Sequence, residues 1–314
     1  MSEATLPLFP DAALGGSAPA ESLGCHGGVE YLDLPVRQIL NRSRGSRFPR
    51  QWTINPYRGC EFACGYCYGR DSHGYLGLDP RRDFESRIFV KSGGREALER
   101  QLKRASLRGE AIVIGTVTDP YQPAERRHGI TRSLLEALRA AAGLDLSIST
   151  KSPLILRDLA LLAELDRRHA VTVNISLTTT DPELSQRIEP QAPDPRARLR
   201  ALARLAGEGI ATRLHCMPIL PRLTDRAAVL APLLQAAHQA GAFDAAGGPL
   251  ELRGAARARF WPWLRREFPD LVPHYRRLYA RRGHLRKRQR EEVMAEFRLL
   301  RLRLGFPLDR PGRA

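Results

Sequence analysis

The sequence predicts an α/β protein whose core is an incomplete barrel of six parallel strands. From about Gln51 onward, short β-prone runs alternate with helical patterns, an order typical of parallel sheets joined by right-handed crossovers. Two of the runs, Ala111–Val117 and Val171–Leu177, carry the Val and Ile residues typical of strands buried on both faces of a sheet. The chain has 314 residues, of which 43% are hydrophobic, and this is enough for one large domain.

The predicted elements follow one another in a regular order. The strands lie at 52–54, 111–117, 146–150, 171–177, 211–219 and 249–252. The helices between them lie at 94–107, 129–142, 153–168, 195–207 and 225–240. Ser152-Pro153 and Asp194-Pro195 are typical helix starts, because proline suits the first helical position and the residue before it caps exposed N–H groups. Six strands with five helices predict a barrel that is open on one side.

The predicted barrel covers residues 51–253, and the segments before and after it differ from it in composition. Residues 1–28 are rich in Ala, Gly, Ser and Pro without a period, so we expect them to be disordered. Residues 29–50 form an N-terminal extension with a short apolar pattern that we expect to pack outside the core. Residues 254–314 form a helical C-terminal extension, in which the aromatic cluster at 260–264 is predicted to serve packing.

The C-terminal extension is basic. The chain has a formal net charge of +16, and residues 251–314 hold 18 Lys and Arg against 7 Asp and Glu. Clustered positive charge is typical of contact with phosphates, and nucleic acid is the obvious partner. The open alternative is a solvated helix face in an arginine-rich protein. The helix predicted from His284 to Leu304 should dock an apolar stripe on the barrel and leave its arginines outside.

Cysteine usage and hydropathy restrict the class of protein. Five cysteines are too few for a disulfide scaffold at this length, and three of them fall within eight residues. This grouping indicates metal binding in a reducing compartment. The chain contains no run of about 18 apolar residues, and its N-terminus is not a secretory signal. We therefore expect a cytoplasmic protein without a membrane span.

The motif that carries chemistry is the C-x3-C-x2-C run formed by Cys60, Cys64 and Cys67. Thiolates are natural ligands of iron–sulfur clusters, and three of them leave one iron of a four-iron cluster open. An open coordination position is typical of catalytic metal sites. The alternative is a structural zinc site with His73 as fourth ligand, although such sites usually use paired Cys or Cys/His units. The sequence favours a 4Fe–4S cluster.

This run resembles the signature of the radical S-adenosylmethionine (SAM) superfamily. Its surroundings are similar to the spore photoproduct lyase-like branch, also called DNA-repair-photolyase-like. The similar stretches are 55–60, 67–68, 73–78, 83–85, 118–123, 150–153 and 189–190. The resemblance covers about residues 29–253, and it implies a partial (βα)6 TIM-like barrel of the radical SAM type. It also implies a 4Fe–4S cluster and SAM as cofactors, with an electron donor such as flavodoxin or ferredoxin.

The resemblance further implies how SAM is bound and used. The open iron chelates the amino and carboxylate groups of SAM, and an electron from the cluster cleaves SAM to a 5′-deoxyadenosyl radical that abstracts hydrogen from the substrate. Tyr66 occupies the aromatic position near the adenine, and Lys151 corresponds to the lysine that meets the SAM carboxylate in a charge-assisted bond. Ser176 corresponds to the ribose-contacting hydroxyl, and Asp119 is a further candidate for SAM binding. The alternatives are a surface lysine and an ordinary strand-end serine.

Two residues depart from the branch. Spore photoproduct lyase itself uses a cysteine as hydrogen donor at the position aligned with Thr116. An O–H bond is too strong to donate a hydrogen atom readily, so we do not expect Thr116 to take over that role. Cys216 and Tyr121 are candidate donors, with a buried structural role as the alternative for Cys216. Arg222 replaces a glycine of the branch and would reshape its loop or add a phosphate contact.

Three functional hypotheses follow. The first is a radical SAM enzyme that acts on nucleic acid, where a base inside a duplex must first be extruded. The second is a radical SAM enzyme with a protein or small-molecule substrate. The third is an iron–sulfur protein without radical chemistry, and Lys151 and Ser176 argue against it because they suit a SAM site.

Overall fold

The computed structural model describes residues 20–43, 51–104, 107–279 and 281–306. The strands are β1 Ser22–His26, β2 Val29–Asp33, β3 Leu40–Arg42, β4 Trp52–Ile54, β5 Tyr57–Arg58, β6 Arg87–Val90, β7 Ala111–Ile114, β8 Asp145–Thr150, β9 Ala170–Ser176, β10 Ala211–Ile219 and β11 Asp244–Pro249. The helices are α1 Asp71–Gly74, α2 Gly94–Arg104, α3 Ala124–His128, α4 Ile130–Leu138, α5 Leu159–Asp166, α6 Pro182–Ile188, α7 Pro195–Gly207, α8 Ala227–Gln239, α9 Gly254–Glu267, α10 Val272–Tyr279 and α11 Lys287–Arg303. Short 3-10 turns cover Tyr68–Arg70, Pro153–Asp158 and Pro269–Leu271.

The larger sheet is the predicted open barrel. Its order is β11-β10-β9-β8-β7-β4-β3. The six strands from β4 to β11 in this sheet are parallel to their neighbours, and β3 pairs antiparallel with β4 at one edge. The sheet ends at β11 on the other edge, so the barrel is open on one side, as the alternation of strands and helices predicts.

Alternation along the strands separates an apolar outer face from a polar inner face. In β9, Val173 and Ile175 are buried in the core against the helices. Asn174 lies between them on the opposite face, where its amide donates to the hydroxyls of Ser147 and Ser149 on β8 at 2.8 and 3.4 Å. The inside of the barrel is therefore polar and can accommodate a polar cofactor.

Several predicted boundaries differ from the structure, and two of the differences concern whole strands. The last strand of the barrel is Asp244–Pro249 rather than 249–252, and it is held by parallel pairing with β10. Its Gly- and Ala-rich sequence has no β-branched residue, so propensity gave no signal for it. Residues 22–26, which we expected to be disordered, form β1 and pair antiparallel with β2. All side chains of β1 are exposed, so backbone pairing rather than burial makes this strand. Residues 1–19 lie outside the described part of the chain.

A second sheet, which the sequence did not predict, positions the cysteine motif. Its order is β1-β2-β6-β5, with β2 parallel and β5 antiparallel to β6. Tyr57 of β5 and Ile88 of β6 are fully buried and belong to one hydrophobic cluster. Because β5 runs directly into Gly59 and Cys60, this sheet fixes where the motif begins.

The C-terminal extension packs on the barrel through α11, as predicted for the 284–304 region. Val293, Met294 and Phe297 are buried on its inner face, against β11 and α8. The Phe297 ring occupies the space beside Gly247 of β11, where a Cβ atom would come within 2.7 Å of the ring. The aromatic residues Phe260 and Trp263 of α9 belong to the main core. Within the described ranges, no helix is long and apolar enough to cross a membrane.

Candidate active site

The cysteine motif lies on a loop that begins at Gly59, a position whose backbone conformation and surroundings fit only glycine. Gly59 has a φ of +91°, and a Cβ atom there would lie 2.9 Å from both Cδ1 of Ile88 and the carbonyl oxygen of Phe84. The N–H of Cys60 then donates to the Phe84 carbonyl at 2.9 Å. The loop is thereby tied at its first cysteine to the turn that precedes β6.

The three thiols share one apolar pocket. Cys60, Cys64 and Cys67 lie in a cluster with Phe62 and Phe84, and the first two cysteines are buried. Burial raises the pKa of Cys60 well above its ordinary value and raises the pKa of Cys64 to about 12. Thiols in such a pocket ionise when they bind a metal, because the metal's positive charge reverses the effect of burial.

The thiol arrangement fits an iron–sulfur cluster better than a single ion. Among the described residues, no three His, Cys, Asp or Glu side chains are placed to hold one metal ion. A 4Fe–4S cluster spreads its thiolate ligands over separate irons. Three thiols on one loop, two of them buried and one partly exposed, therefore suit a cluster of this kind.

His73, the fourth ligand of the zinc alternative, serves another role. Its ring is fully buried and packs edge-on against Phe84 and Phe89. Its Nε2 lies 2.9 Å from the carbonyl oxygen of Arg87, and burial lowers the pKa of the ring to about 4. The structure places His73 as a packing residue behind the loop and gives no support to a zinc site.

A buried arginine holds the middle of the loop. Arg70 has no exposed surface, and its Nη2 donates to the carbonyl oxygen of Cys64 at 3.2 Å. Its other end pairs with Glu85, and the guanidinium lies over the Phe84 ring at 5.1 Å. Because a buried charge without a partner is costly, these contacts fix Arg70 and with it the backbone at Cys64.

One buried carboxylate connects most of the residues predicted to contact SAM. Glu189 accepts hydrogen bonds from the Tyr66 hydroxyl and from Arg198, and its Oε1 lies 3.7 Å from Nζ of Lys151. Arg198 also donates to the backbone carbonyl of Ser176 at 3.2 Å. The structure thus brings Tyr66, Lys151 and Ser176 to one place, where the cysteine loop meets the ends of β8 and β9.

The charges in this network are stable at neutral pH. Burial alone would raise the pKa of Glu189, but Arg198 and Lys151 outweigh it and lower that pKa. Burial alone would lower the pKa of Lys151, and the carboxylate of Glu189 is the main opposing influence that raises it. Burial, followed by Glu189, raises the pKa of Tyr66 well above its ordinary value. Lys151 is therefore a fixed cation and Tyr66 a fixed hydrogen-bond donor.

Asp119 orients the backbone at Lys151. Its Oδ2 accepts from the Lys151 N–H at 2.7 Å, and its Oδ1 accepts from the Thr150 hydroxyl at 2.6 Å and the Tyr121 N–H at 2.9 Å. Both carboxylate oxygens are thus engaged within the protein. Direct contact between Asp119 and SAM stays a prediction, while its structural role at the end of β8 is plain.

The two candidate hydrogen donors lie outside the thiol cluster. Tyr121 is fully buried, and its hydroxyl donates to Asp158 at 3.2 Å, a carboxylate that also pairs with Arg132. Cys216 is buried in the main core, and burial raises its pKa to about 12. Neither residue belongs to the cluster around the three thiols, and a role of either as hydrogen donor stays a prediction.

Thr116 lies next to the cysteine loop. Its hydroxyl accepts a hydrogen bond from the Asn55 amide at 2.9 Å. Its carbonyl oxygen accepts from the hydroxyl of Tyr68, the residue after the last cysteine. Thr116 therefore lies beside the cysteine loop, and its hydroxyl is engaged by Asn55.

Sequence reasoning missed two further polar residues of the pocket, Arg198 and His215. His215 faces Ser176 across the β9–β10 register, and burial, with Arg213 and Lys151, lowers its pKa to about 3. It is therefore a neutral ring on the inner wall of the barrel. No local signal distinguishes Arg198 from the exposed arginines of α7, and His215 sits in a strand without a motif.

Comparison with known proteins decides the family. The sequence model described as "Radical SAM superfamily" matches residues 54–230. The chain belongs to the radical SAM superfamily. Enzymes of this family use a 4Fe–4S cluster and SAM, so these are its cofactors.

Relatives of this radical SAM protein occur in bacteria and archaea. The uncharacterized protein Rv2578c of Mycobacterium tuberculosis is 39% identical over 280 residues, which cover 87% of this chain and 82% of the relative. The uncharacterized protein MJ0683 of Methanocaldococcus jannaschii is 32% identical over 199 residues, which cover 63% of this chain and 70% of the relative.

Solved structures confirm the fold of this radical SAM protein. A mutant of spore photoproduct lyase with bound AdoMet and dinucleoside spore photoproduct has a TM-score of 0.65 at 15% identity, covering 88% of this chain and 79% of that chain. Spore photoproduct lyase complexed with dinucleoside spore photoproduct has a TM-score of 0.64 at 16% identity and the same coverage. At these identities the similarity concerns the fold, a radical SAM barrel.

Proposed function

We propose that this radical SAM enzyme acts on nucleic acid and that the pocket around Glu189 is its SAM site. The observation that carries the SAM site is the convergence of Tyr66, Lys151 and Ser176 on Glu189 and Arg198 beside three thiols. A fixed ammonium group at the mouth of a polar barrel suits a ligand that carries a carboxylate.

The residues of this site have distinct roles in the proposal. Cys60, Cys64 and Cys67 hold the 4Fe–4S cluster, which together with SAM supplies a 5′-deoxyadenosyl radical when both are bound. Lys151 binds the SAM carboxylate. Tyr66 lines the adenine side, with its hydroxyl held by Glu189. Ser176 and His215 line the ribose side of the pocket, and Asp119 acts through the backbone of Lys151.

Charge and shape support a nucleic-acid substrate. The C-terminal extension holds most of the excess positive charge of the chain. At the open edge of the barrel, β11 and α11 enclose a groove of ≈ 300 Å³ whose lining includes Arg290, Arg298 and Arg301, the last paired with Asp244 at 2.8 Å. Arg290 and Arg298 are exposed, and exposed arginines beside a groove suit phosphate contacts. The structurally similar lyase is described with a bound dinucleoside lesion, which agrees with this substrate class.

The reaction in this proposal differs from photoproduct repair. The lyase position is taken by Thr116, whose hydroxyl accepts a hydrogen bond from Asn55. A threonine does not return a hydrogen atom to a substrate radical. The proposal is therefore limited to transfer of one hydrogen atom from a damaged or modified nucleotide to the 5′-deoxyadenosyl radical, which gives 5′-deoxyadenosine and a nucleotide radical. Reduction of the cluster requires an external electron donor of low potential, such as a flavodoxin or a ferredoxin.

The test is formation of 5′-deoxyadenosine by anaerobically reconstituted, dithionite-reduced protein. It is run without nucleic acid, with single- and double-stranded DNA, and with RNA, and Cys64→Ala serves as the control without a cluster. We expect product in the wild type, none in the control, and stimulation by nucleic acid. No product from a protein with an intact cluster would overturn the SAM chemistry. Product formation that neither DNA nor RNA stimulates would overturn the substrate class.

A further inference from the structure

The C-terminal extension touches the cysteine loop at Gly65. A Cβ atom on this residue, which lies between the second and third cysteines, would be 3.5 Å from two ring atoms of Trp263. The indole N–H of Trp263 donates to the Arg187 carbonyl at 2.8 Å. The next carbonyl, that of Ile188, accepts from the Gly65 N–H at 3.4 Å. The cysteine loop therefore contacts both α9 and the C-terminal end of α6 at Gly65.

A second contact lies at the start of α9. The carboxylate of Asp71 accepts from the Ala255 N–H at 2.6 Å, in the first turn of α9. A Cβ atom at Gly254, where φ is +50°, would displace this carboxylate from its present position. Asp71 thus caps α9 from outside the helix, and a carboxylate at a helix N-terminus is favourable. Because Asp71 follows the 3-10 turn after Cys67, this contact fixes the far end of the loop.

A third contact is a bridge of charges. Arg259 of α9 pairs with Glu85 at 3.1 Å, and the other oxygen of Glu85 pairs with buried Arg70. Arg70 in turn donates to the carbonyl of Cys64. The chain of contacts from Arg259 to Cys64 links α9 to the middle of the motif.

We propose that α9 is part of the cluster site and that Trp263 is a positioning residue for the cluster. The loop has little regular structure of its own, with a two-residue strand before it and a four-residue helix after it. Its shape therefore depends on what covers it, and the indole of Trp263 covers the segment between Cys64 and Cys67. Hydrogen bonding and solvent exposure around a cluster are among the factors that set its potential, so a change in this cover should be visible in the potential.

This inference rests on the proposed function only through the identity of the cluster. It assigns a role to the C-terminal extension that is separate from substrate binding. A barrel ending near residue 253 would lack the Trp263 ring, the partner of Asp71 and the outer arginine of the charge bridge. We therefore expect stable cluster binding to require the extension even when no substrate is present.

The test uses the full chain, reconstituted anaerobically with iron and sulfide, without SAM or nucleic acid. Trp263→Ala is compared with Trp263→Phe and with Trp261→Ala, a half-buried tryptophan of the same helix that does not face Gly65. Bound iron and sulfide, the rate of cluster loss in air, the EPR spectrum of the reduced cluster and its midpoint potential are measured. Loss of an outer-shell support typically lowers metal affinity about 10-fold or more.

We expect Trp263→Ala to lose bound iron and to bleach faster in air, with an altered EPR spectrum and potential. Trp263→Phe should restore most of the iron, and Trp261→Ala should match the wild type. Should Trp263→Ala fail to fold by circular dichroism, Arg259→Ala replaces it, since this side chain is 41% exposed, and faster cluster loss is again expected.

The inference would be overturned if Trp263→Ala kept the iron content, decay rate, EPR spectrum and potential of the wild type. Where Arg259→Ala replaces that variant, an unchanged decay rate would overturn it. Because no measurement involves SAM, failure of the SAM-cleavage assay would leave this result standing, and the reverse also holds.

Discussion

The carboxylate of Glu189 lies 3.7 Å from the ammonium nitrogen of Lys151 and also accepts a hydrogen bond from the hydroxyl of Tyr66. Lys151 follows β8, Tyr66 is on the cysteine loop, and Glu189 follows α6. One buried side chain thus fixes the distance between the part of the pocket that carries the metal ligands and the part that carries the cation. The cost of taking charges out of water offsets the attraction within a buried ion pair, while removal of one partner is strongly destabilising.

We expect Glu189→Gln to weaken SAM binding about tenfold and to lower stability. The substitution leaves the shape but removes the charge, so Lys151 and Arg198 lose their counterion, and breaking a buried pair costs about 3–5 kcal/mol. The dissociation constant for SAM is measured by equilibrium dialysis on reconstituted protein, with urea unfolding alongside. Glu183→Gln, an exposed glutamate of α6, is the control. Equal behaviour of the two variants would contradict a positioning role.

Lys151→Met should reduce SAM affinity without loss of the cluster. The side chain keeps its length but not its charge, and a charge-assisted hydrogen bond contributes about 1.5–3 kcal/mol. Iron content and cluster absorbance should match the wild type, while the EPR change caused by SAM should require higher SAM concentrations. Lys103→Met, at an exposed lysine of α2, controls for the loss of charge. Unaltered SAM affinity in Lys151→Met would remove this residue from the site.

Alanine at Cys60, Cys64 or Cys67 should abolish the cluster absorbance and bound iron, because the motif supplies three ligands and each substitution removes one of them. Cys25→Ala and Cys216→Ala should retain both, since the first thiol is exposed and the second lies in the main core. Iron and sulfide analysis after anaerobic reconstitution measures this. A cluster that survives in Cys64→Ala, or disappears in Cys216→Ala, would mean that the ligands are wrongly assigned.

Binding of nucleic acid should depend on salt through the groove between β11 and α11. Each phosphate contact adds about 0.9 to the slope of log K against log salt for duplex DNA, so Arg290→Gln combined with Arg298→Gln should lower the slope by about 2. Fluorescence anisotropy of a labelled oligonucleotide over a salt series measures it. The matched control is Arg167→Gln with Arg168→Gln, two exposed arginines after α5. An equal decrease in both pairs would indicate a general charge effect.

Stability should fall on mild acidification because of His73. Burial lowers the pKa of this ring to about 4, so between about pH 6.5 and 4 the unfolded chain binds a proton that the folded chain excludes. The free energy of unfolding is then full above pH 6.5 and decreases toward pH 4, by about 3 kcal/mol for this ring. Urea titrations at fixed pH should show a shallower decrease in His73→Gln. Parallel pH profiles for the two proteins would rule out His73 as the cause.

Local signals explain which elements were predictable. The helix Pro195–Gly207 and the strand Ala211–Ile219 match the predicted bounds. An Asp-Pro start marks the helix, and alternation of Thr212, Leu214 and Cys216 with more polar residues marks the strand. Asp244–Pro249 is a strand only because β10 pairs with it, and no propensity encodes that pairing. The strand Ser22–His26 also depends on backbone pairing, here with β2. It was missed because all its side chains are exposed.

The candidate site was predictable where it depends on spacing and not where it depends on packing. The cysteines follow a fixed pattern, and Lys151 follows a recognisable strand, so both could be named in advance. Arg198 is one of four arginines in α7, and only the folded chain shows that it is the buried one. Trp263 could be predicted as a packing residue, but its contact with Gly65 joins positions that no sequence pattern relates.

The contact between Trp263 and Gly65 also has a consequence for biosynthesis. The two residues are separated by about 200 positions, which a ribosome needs on the order of 10–40 seconds to translate. During that interval the cysteine loop has been made but its indole cover has not. Metal delivered to the nascent chain would therefore meet an uncovered loop, and stable loading of the cluster is expected only after α9 has left the ribosome and docked.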